Sequence, residues 1–232
     1  MNYKVIDRDG PYAPHYHGPE VEDPVYRATI ARMFRSDFVE FFSKVHPVVP
    51  AALYLPLAAW GAYAGWQGLS ALNLLAAVAS GLFFWTFAEY VLHRYVFHMA
   101  PTNKLKAFLY FQSHGIHHQY PDDYYRLLMV PPVSLPLAAL FYGLFALVLS
   151  PAGAAATFAG FVLGYLAYDY IHFAVHFFKP PRAAWAKPIA TWFKASRRRH
   201  LVHHFDDHER GYGVSTVFWD HVFGTAPRGK AE

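Results

Sequence analysis

The chain has 232 residues, of which 55% are hydrophobic, 19% aromatic and only 16% charged, where soluble domains run near ~25% charged. Its formal net charge is +4, and it carries 15 His and no Cys, which excludes a disulfide framework, a Cys-ligated zinc site, an iron–sulfur cluster and a thiolate nucleophile. The apolar content excludes a disordered chain, and the length suits one domain, or one with a small appendage.

Residues 1–24 hold five Asp/Glu and lack the apolar stretch of a secretory signal. Pro11, Pro14, Pro19 and Pro24 punctuate this segment as an extended arm wrapping another surface. A helix is expected over Arg27 to Val45, with Ile30, Phe34, Phe38, Phe41 and Val45 in one apolar stripe and Arg32, Arg35 and Lys44 off it. It reads equally as a helix lying on the inner leaflet or as one packed on a cytosolic cap. Residues 1–46 therefore form a cytosolic arm and interfacial helix ahead of a main domain, 47–232.

Four apolar stretches follow, about Pro47 to Trp66, Leu69 to Leu92, Met129 to Leu149 and Ala154 to Phe178. Each approaches the ~20 residues that a helix needs to cross a bilayer. Gln67 and Gly68 join the first pair, and a turn around Ser150, Pro151 and Gly153 joins the second, so both pairs read as helical hairpins. Six Lys/Arg precede the first span, four (Arg94, Lys104, Lys106, Arg126) lie between the second and third, ten follow the fourth, and none lies in a hairpin turn. The positive-inside rule then puts both termini and the middle loop in the cytoplasm.

Ten of the histidines fall into four clusters at the cytoplasmic helix ends. His93 and His98 form H-x4-H; His114, His117 and His118 form H-x2-H-H; His172 and His176 form H-x3-H; His200, His203 and His204 form a second H-x2-H-H. On a helix, positions i, i+3 and i+4 share a face, so His114 projects with His118, His172 with His176, and His200 with His204. The adjacent residue in each H-H pair points about 100° away, so a tandem pair can serve two ions. Neutral imidazole suits Fe, Zn, Cu and Ni, and ten are too many for one ion. His15, His17, His46, His208 and His221 stand apart as bystanders.

Glu89 and Asp169 are the only acids in the spans, and an intramembrane carboxylate usually has a defined partner. Glu89 precedes His93 by four residues; Asp169 precedes His172 by three and His176 by seven. Ligating His commonly donate their second N–H to a carboxylate, so Glu89 and Asp169, with Asp220 as a weaker third, are expected to orient the histidines. A metal transporter or buffer would place its ligands near mid-membrane; here they gather at one face. A bis-His haem would leave the H-x2-H-H clusters unexplained.

The segment Glu89 to His98, Glu-Tyr-x-x-His-Arg-x-x-Phe-His, resembles the first motif of the fatty acid 2-hydroxylases, in the fatty acid hydroxylase (sterol desaturase) superfamily. His114-Gly115-Ile116-His117-His118 with Pro121, Asp122 and Arg126 resembles the second motif, and Tyr168-Asp169-x-x-His172-x-x-x-His176 the third. His200-x-x-His203-His204, then Gly211 to Ser215, Trp219-Asp220 and Phe223-Gly224-Thr225, resembles the fourth motif and the C-terminal signature.

The resemblance implies an all-α integral membrane protein with four transmembrane helices in two hairpins and a cytosolic helical cap holding a His-rich di-metal site. All ten clustered histidines would be ligands, with the di-metal centre itself as the catalyst. Two iron ions are the expected metal, with zinc as a substitute in purified material. The implied reaction is O2-dependent hydroxylation at carbon 2 of a long-chain fatty acid or of the N-acyl chain of a (dihydro)ceramide. Sterol, carotenoid or alkylglycerol oxidation, including desaturation, is the alternative on the same scaffold. Many eukaryotic members carry an N-terminal cytochrome b5 domain, and this chain has no motif for one. Its electrons are therefore expected from a separate protein of cytochrome b5 or ferredoxin type, as in a bacterial inner-membrane member. Nucleic acid is not an expected partner.

Overall fold

The computed structural model describes residues 33–34 and 36–227. The Pro-rich arm and the first part of the expected 27–45 helix lie outside these residues. In chain order the helices are α1 (Asp37–Phe42), α2 (Val48–Gly68), α3 (Ala71–Val91), α4 (Lys104–Tyr110), α5 (Ile116–Gln119), α6 (Pro131–Val148), α7 (Pro151–Phe177), α8 (Lys187–Phe205) and α9 (Phe218–Val222). α3 runs on into a wider π turn, Leu92–Phe97, and α4 into another, Phe111–Gly115. The described residues contain no strand.

α1 is shorter than the apolar stripe implied, and the reason is local. The Ser36 hydroxyl accepts from the Val39 N–H at its start. Glu40 Oε2 accepts the Met33 and Phe34 N–H groups, both at 3.0 Å, which holds those residues outside the helix. Phe38 and Phe41 are exposed, whereas Val45 lies past the helix end, buried with Leu127, Leu128 and Phe173.

α2, α3 with its π turn, α6 and α7 are long and apolar enough to cross a membrane. The hairpin turns are set by hydroxyl caps. Ser70 Oγ accepts from the Asn73 N–H and Ser150 Oγ from the Gly153 N–H. The second turn is therefore Leu149–Ser150, and Pro151 to Gly153, read from sequence as turn, already belong to α7. Pro is tolerated there because the first N–H of a helix has no intrahelical acceptor.

α7 is the hub. Of its apolar stretch 72% is buried, against 28% or less for the other three spans, and it packs on α2, α3 and α6. Small residues let the backbones approach. A Cβ on Gly81 would stand 1.9 Å from the Thr157 carbonyl oxygen, and one on Gly160 2.0 Å from that of Val78. The crossing holds α3 and α7 together, and both run toward the end that carries histidines. The outer spans turn Leu72, Leu75, Phe83, Leu140 and Leu147 outward. That apolar belt suits lipid, since a helix closes most of its backbone hydrogen bonds within itself. This is an all-α integral membrane fold whose histidine-bearing helix ends meet the helical cap.

Candidate metal centre

The histidines arrive by two local devices, α-helical spacing and π turns. α7 presents His172 and His176 one turn apart, and α8 presents His200 and His204 in the same way. His93 and His98 need another geometry, since five residues of α-helix would separate them by about 140°. The π turn supplies it: the His98 N–H reaches the His93 carbonyl at 3.1 Å, an i→i+5 bond that returns both rings to one face. His114 is carried by the second π turn and leads into α5, which bears His117 and His118.

The ten clustered histidines meet in two groups of five. His93, His98, His114, His118 and His203 form one; His117, His172, His176, His200 and His204 form the other. Within each group the candidate donor atoms lie within 4.8 Å of one another. The groups adjoin: the His118 and His204 rings stack with centroids 4.1 Å apart. Both H-H pairs are divided between the groups, as the 100° offset requires.

The donor chemistry fits metal. His93 Nδ1 donates to the Tyr212 carbonyl at 2.6 Å, and His203 Nδ1 to that of Arg210 at 2.7 Å. A carbonyl only accepts, so both rings hold their proton on Nδ1 and turn an Nε2 lone pair inward. Those nitrogens face His114 Nε2 and His98 Nε2, each at 3.0 Å. In the second group, His117 Nε2 lies 3.1 Å from the Nε2 atoms of both His172 and His204. His118 Nε2 is buried without a hydrogen-bond partner. Lone pairs converging at this spacing are matched by a cation.

Burial keeps the rings neutral, the form that ligates. It drives His114, His117 and His200 well below the usual imidazole range, and neighbouring imidazoles push the same way. Burial is also the main cause of lowering at His98 (about 3), His203 (about 4) and His204 (about 2).

The carboxylates act differently from the spacing argument. Glu89 does not touch His93, whose two nitrogens go to Tyr212 and His114. Its carboxylate accepts the Val214 and Ser215 N–H groups at 2.7 and 2.9 Å, and the Ser215 hydroxyl. A segment far along the chain takes the acceptor that α3's own periodicity offered to His93. Asp220 accepts the Tyr212 and Gly213 N–H groups at 3.0 and 2.8 Å and the Thr225 hydroxyl at 2.8 Å. Both acids thus fix the Tyr212–Ser215 turn, which offers its carbonyl to His93. Gly213 is required there, since a Cβ would stand 1.9 Å from the Thr216 carbonyl oxygen. Asp169 makes no hydrogen bond to the histidines either; its carboxylate meets the Met129 N–H and the Tyr165 hydroxyl, and the residue lines a cavity.

Of the bystanders, His46 Nδ1 accepts from the Val48 N–H at 3.2 Å. His208 donates to the His203 carbonyl at 2.7 Å and sits 5.3 Å from the His118 ring, outside both groups. His15 and His17 lie outside the described residues. The sequence marks Gly211 to Ser215 as part of a motif but not the role of the Tyr212 carbonyl, nor that of Arg210, in orienting the rings.

A cavity of about 290 Å³ reaches both groups, touching His114 of one and His172 of the other. Phe97, Phe108 and Met129 make it apolar, with Gln112, Ser113 and Arg126 as polar points. At its edge the Arg126 guanidinium bonds Asp123 at 2.6 Å and pairs with Glu40. Burial alone would raise the Glu40 carboxyl; Arg126, Lys44 and the Phe34 N–H outweigh it and hold it below the ordinary value.

The model of the family described as "Fatty acid hydroxylase" matches residues 78–225. The chain belongs to the fatty acid hydroxylase family. This hydroxylase is 34% identical to a dihydroceramide fatty acyl 2-hydroxylase of Arabidopsis thaliana, over 91% of its own length and 86% of that protein's. It is 31% identical to the fatty acid 2-hydroxylase of Mus musculus, over 88% of its own length and 58% of that protein's. A solved structure of full-length Scs7p, in which only the hydroxylase domain is visible, superposes with a TM-score of 0.80 at 30% identity. That match covers 98% of this hydroxylase and 82% of the other chain. The matched family segment contains all four histidine clusters, so the two five-histidine groups lie within the part that defines the family.

Proposed function

We propose that this hydroxylase inserts a hydroxyl group at carbon 2 of a long-chain fatty acid or of the N-acyl chain of a (dihydro)ceramide. The observation that carries this reading is the cavity that touches one histidine of each group, in a chain similar to a dihydroceramide fatty acyl 2-hydroxylase over most of both lengths. His93, His98, His114, His118 and His203 would hold one metal ion, and His117, His172, His176, His200 and His204 the other. Iron is the working metal in this reading, with zinc as a substitute in purified material. When bound, the two iron ions supply the activation of O2 and the oxidising power for an unactivated C–H bond. The overall change consumes O2, two electrons and two protons, places one oxygen atom in the new C–OH and releases the other as water.

The chain's own residues position and shield. The carbonyls of Arg210 and Tyr212 fix the tautomers of His203 and His93, and Glu89 and Asp220 fix the turn that carries Tyr212. The apolar walls of the cavity exclude water from carbon 2, while Gln112, Ser113 and Asp169 are placed to meet the polar end of the substrate.

A separate electron-transfer protein of cytochrome b5 or ferredoxin type delivers the electrons. Both termini and the metal centre face the cytoplasm of a bacterial inner membrane, as the basic loops favour. Residues 47–232 act as the hydroxylase domain, and α1, with Phe38 and Phe41 exposed, lies on the inner leaflet. The test is lipid mass spectrometry of a host expressing the chain with a donor system. 2-Hydroxyacyl chains should accumulate and vanish in His172→Ala; unchanged acyl chains with metal and reductant present would refute the proposal.

A further inference from the structure

Two cavities in the described part of the molecule share a boundary. The first is the 290 Å³ cavity against His114 and His172. The second is an open groove of about 870 Å³ between α1 and the start of α6, with Val49, Tyr125, Leu135 and Pro136 among its walls. Phe42 and Pro132 line both. We infer that this groove admits and seats the acyl chain of a bilayer lipid, with Phe42 and Pro132 as the doorway to the histidine groups. The inference rests on the lipid-hydroxylase reading above and adds the route to it.

Position argues for a lipid rather than a soluble occupant. The groove is bounded by the opening turns of two membrane-spanning helices, α2 at Val49 and α6 at Pro131 to Leu135. It therefore opens sideways where the apolar belt begins. Its chemistry agrees. Pro131, Pro132 and Pro136 carry no N–H donor, so that wall offers an alkyl chain no unmatched donor. Lys44 is tied to Glu40 at 3.0 Å, and His46 Nδ1 is occupied by the Val48 N–H.

The alternative seat is too small. A slot lined by Tyr54, Trp85, Phe141 and Phe161 meets the inner cavity at Met129, but it encloses only about 20 Å³, room for one water molecule. Phe42 stands half exposed at the end of a six-residue helix, its ring edge-on to the exposed rings of Phe38 and Phe41, so the doorway side chain has neighbours that can move with it. Glu40 and Arg126, by contrast, anchor the helix behind it.

The test uses the full chain in phosphatidylcholine vesicles with a diazirine-bearing palmitic acid as photoprobe, followed by peptide mapping. Adducts should fall on residues 41–49 and 131–136 and disappear with excess palmitate. Leu135→Trp and Val49→Trp, which fill the groove, should remove the adducts and raise the KM for palmitate about tenfold while kcat changes little. Bound metal should stay unchanged in both variants, which certifies their fold. Adducts confined to the slot around Phe141 and Phe161, or groove adducts indifferent to excess palmitate, would overturn the inference. Competed groove adducts without 2-hydroxy product would support the seat and refute the reaction. Product formed with an unlabelled groove would do the reverse.

Discussion

His117 and His118 are consecutive residues whose imidazoles belong to different groups. His117 Nε2 lies 3.1 Å from those of His172 and His204, while His118 gathers with His93, His98, His114 and His203. The 100° step between helical neighbours makes this division possible. α8 repeats it with His203 and His204, so α5 and α8 each contribute to both adjoining groups.

If each group holds one ion, the two neighbours are separable. His117→Ala and His118→Ala should each lower bound metal from about two ions per chain to about one, and the double variant to none. Elemental analysis of the purified proteins decides it. Loss of both ions from either single variant, or of neither, would contradict two separate sites.

The Tyr212–Ser215 turn should matter as much as a ligand does. Asp220→Ala leaves two buried N–H groups without their acceptor, at about 1–3 kcal/mol each. It also frees the carbonyl that holds His93. Metal affinity should fall about 10–100-fold, with a lower Tm, although no residue in either five-histidine group has changed. Competition with a graded chelator measures the first effect. Unchanged affinity would mean that the turn does not set the ring.

Glu40 and Arg126 close the cavity edge as a buried pair. Glu40→Gln leaves Arg126 short of one partner and should cost about 3 kcal/mol. The pair also predicts a pH window. The folded-state pKa of Glu40 lies below its ordinary 4.5, so its contribution is fully present above about pH 4.5 and is lost as pH falls through the lower folded value. The Tm gap between the native chain and Glu40→Gln should be wide at pH 7 and close under acid. A gap independent of pH would contradict the pairing.

The α3–α7 crossing should tolerate no side chain. Gly81→Ala places a Cβ 1.9 Å from the Thr157 carbonyl oxygen, whereas Gly143→Ala meets nothing within 4 Å. The first should lower Tm and deplete metal from both groups, because His93 follows directly on α3 and α7 carries His172. The second should behave as the parent. Thermal melts in detergent with metal counting compare them.

Much of this was legible in the sequence because it is local. Hydropathy located all four spans, and helical angle alone paired His114 with His118 and split both H-H pairs. What escaped depends on geometry or distance. The pairing of His93 with His98 needs a π turn, which the α-helical angle does not contain. The Glu89 carboxylate shares a face with His93 in α3, yet a turn 125 residues away occupies it. Arg126 meets Glu40 across 86 residues, and no periodicity in either segment announces that contact.

The most direct test is isotopic. Membranes holding the metal-loaded chain, a reductant system and a long-chain fatty acid are incubated under 18O2, and the acyl products are analysed by mass spectrometry. A 2-hydroxyacyl product with one 18O atom in the new hydroxyl is expected. An unsaturated product, a hydroxyl derived from water, or hydroxylation at another carbon would contradict the proposed reaction.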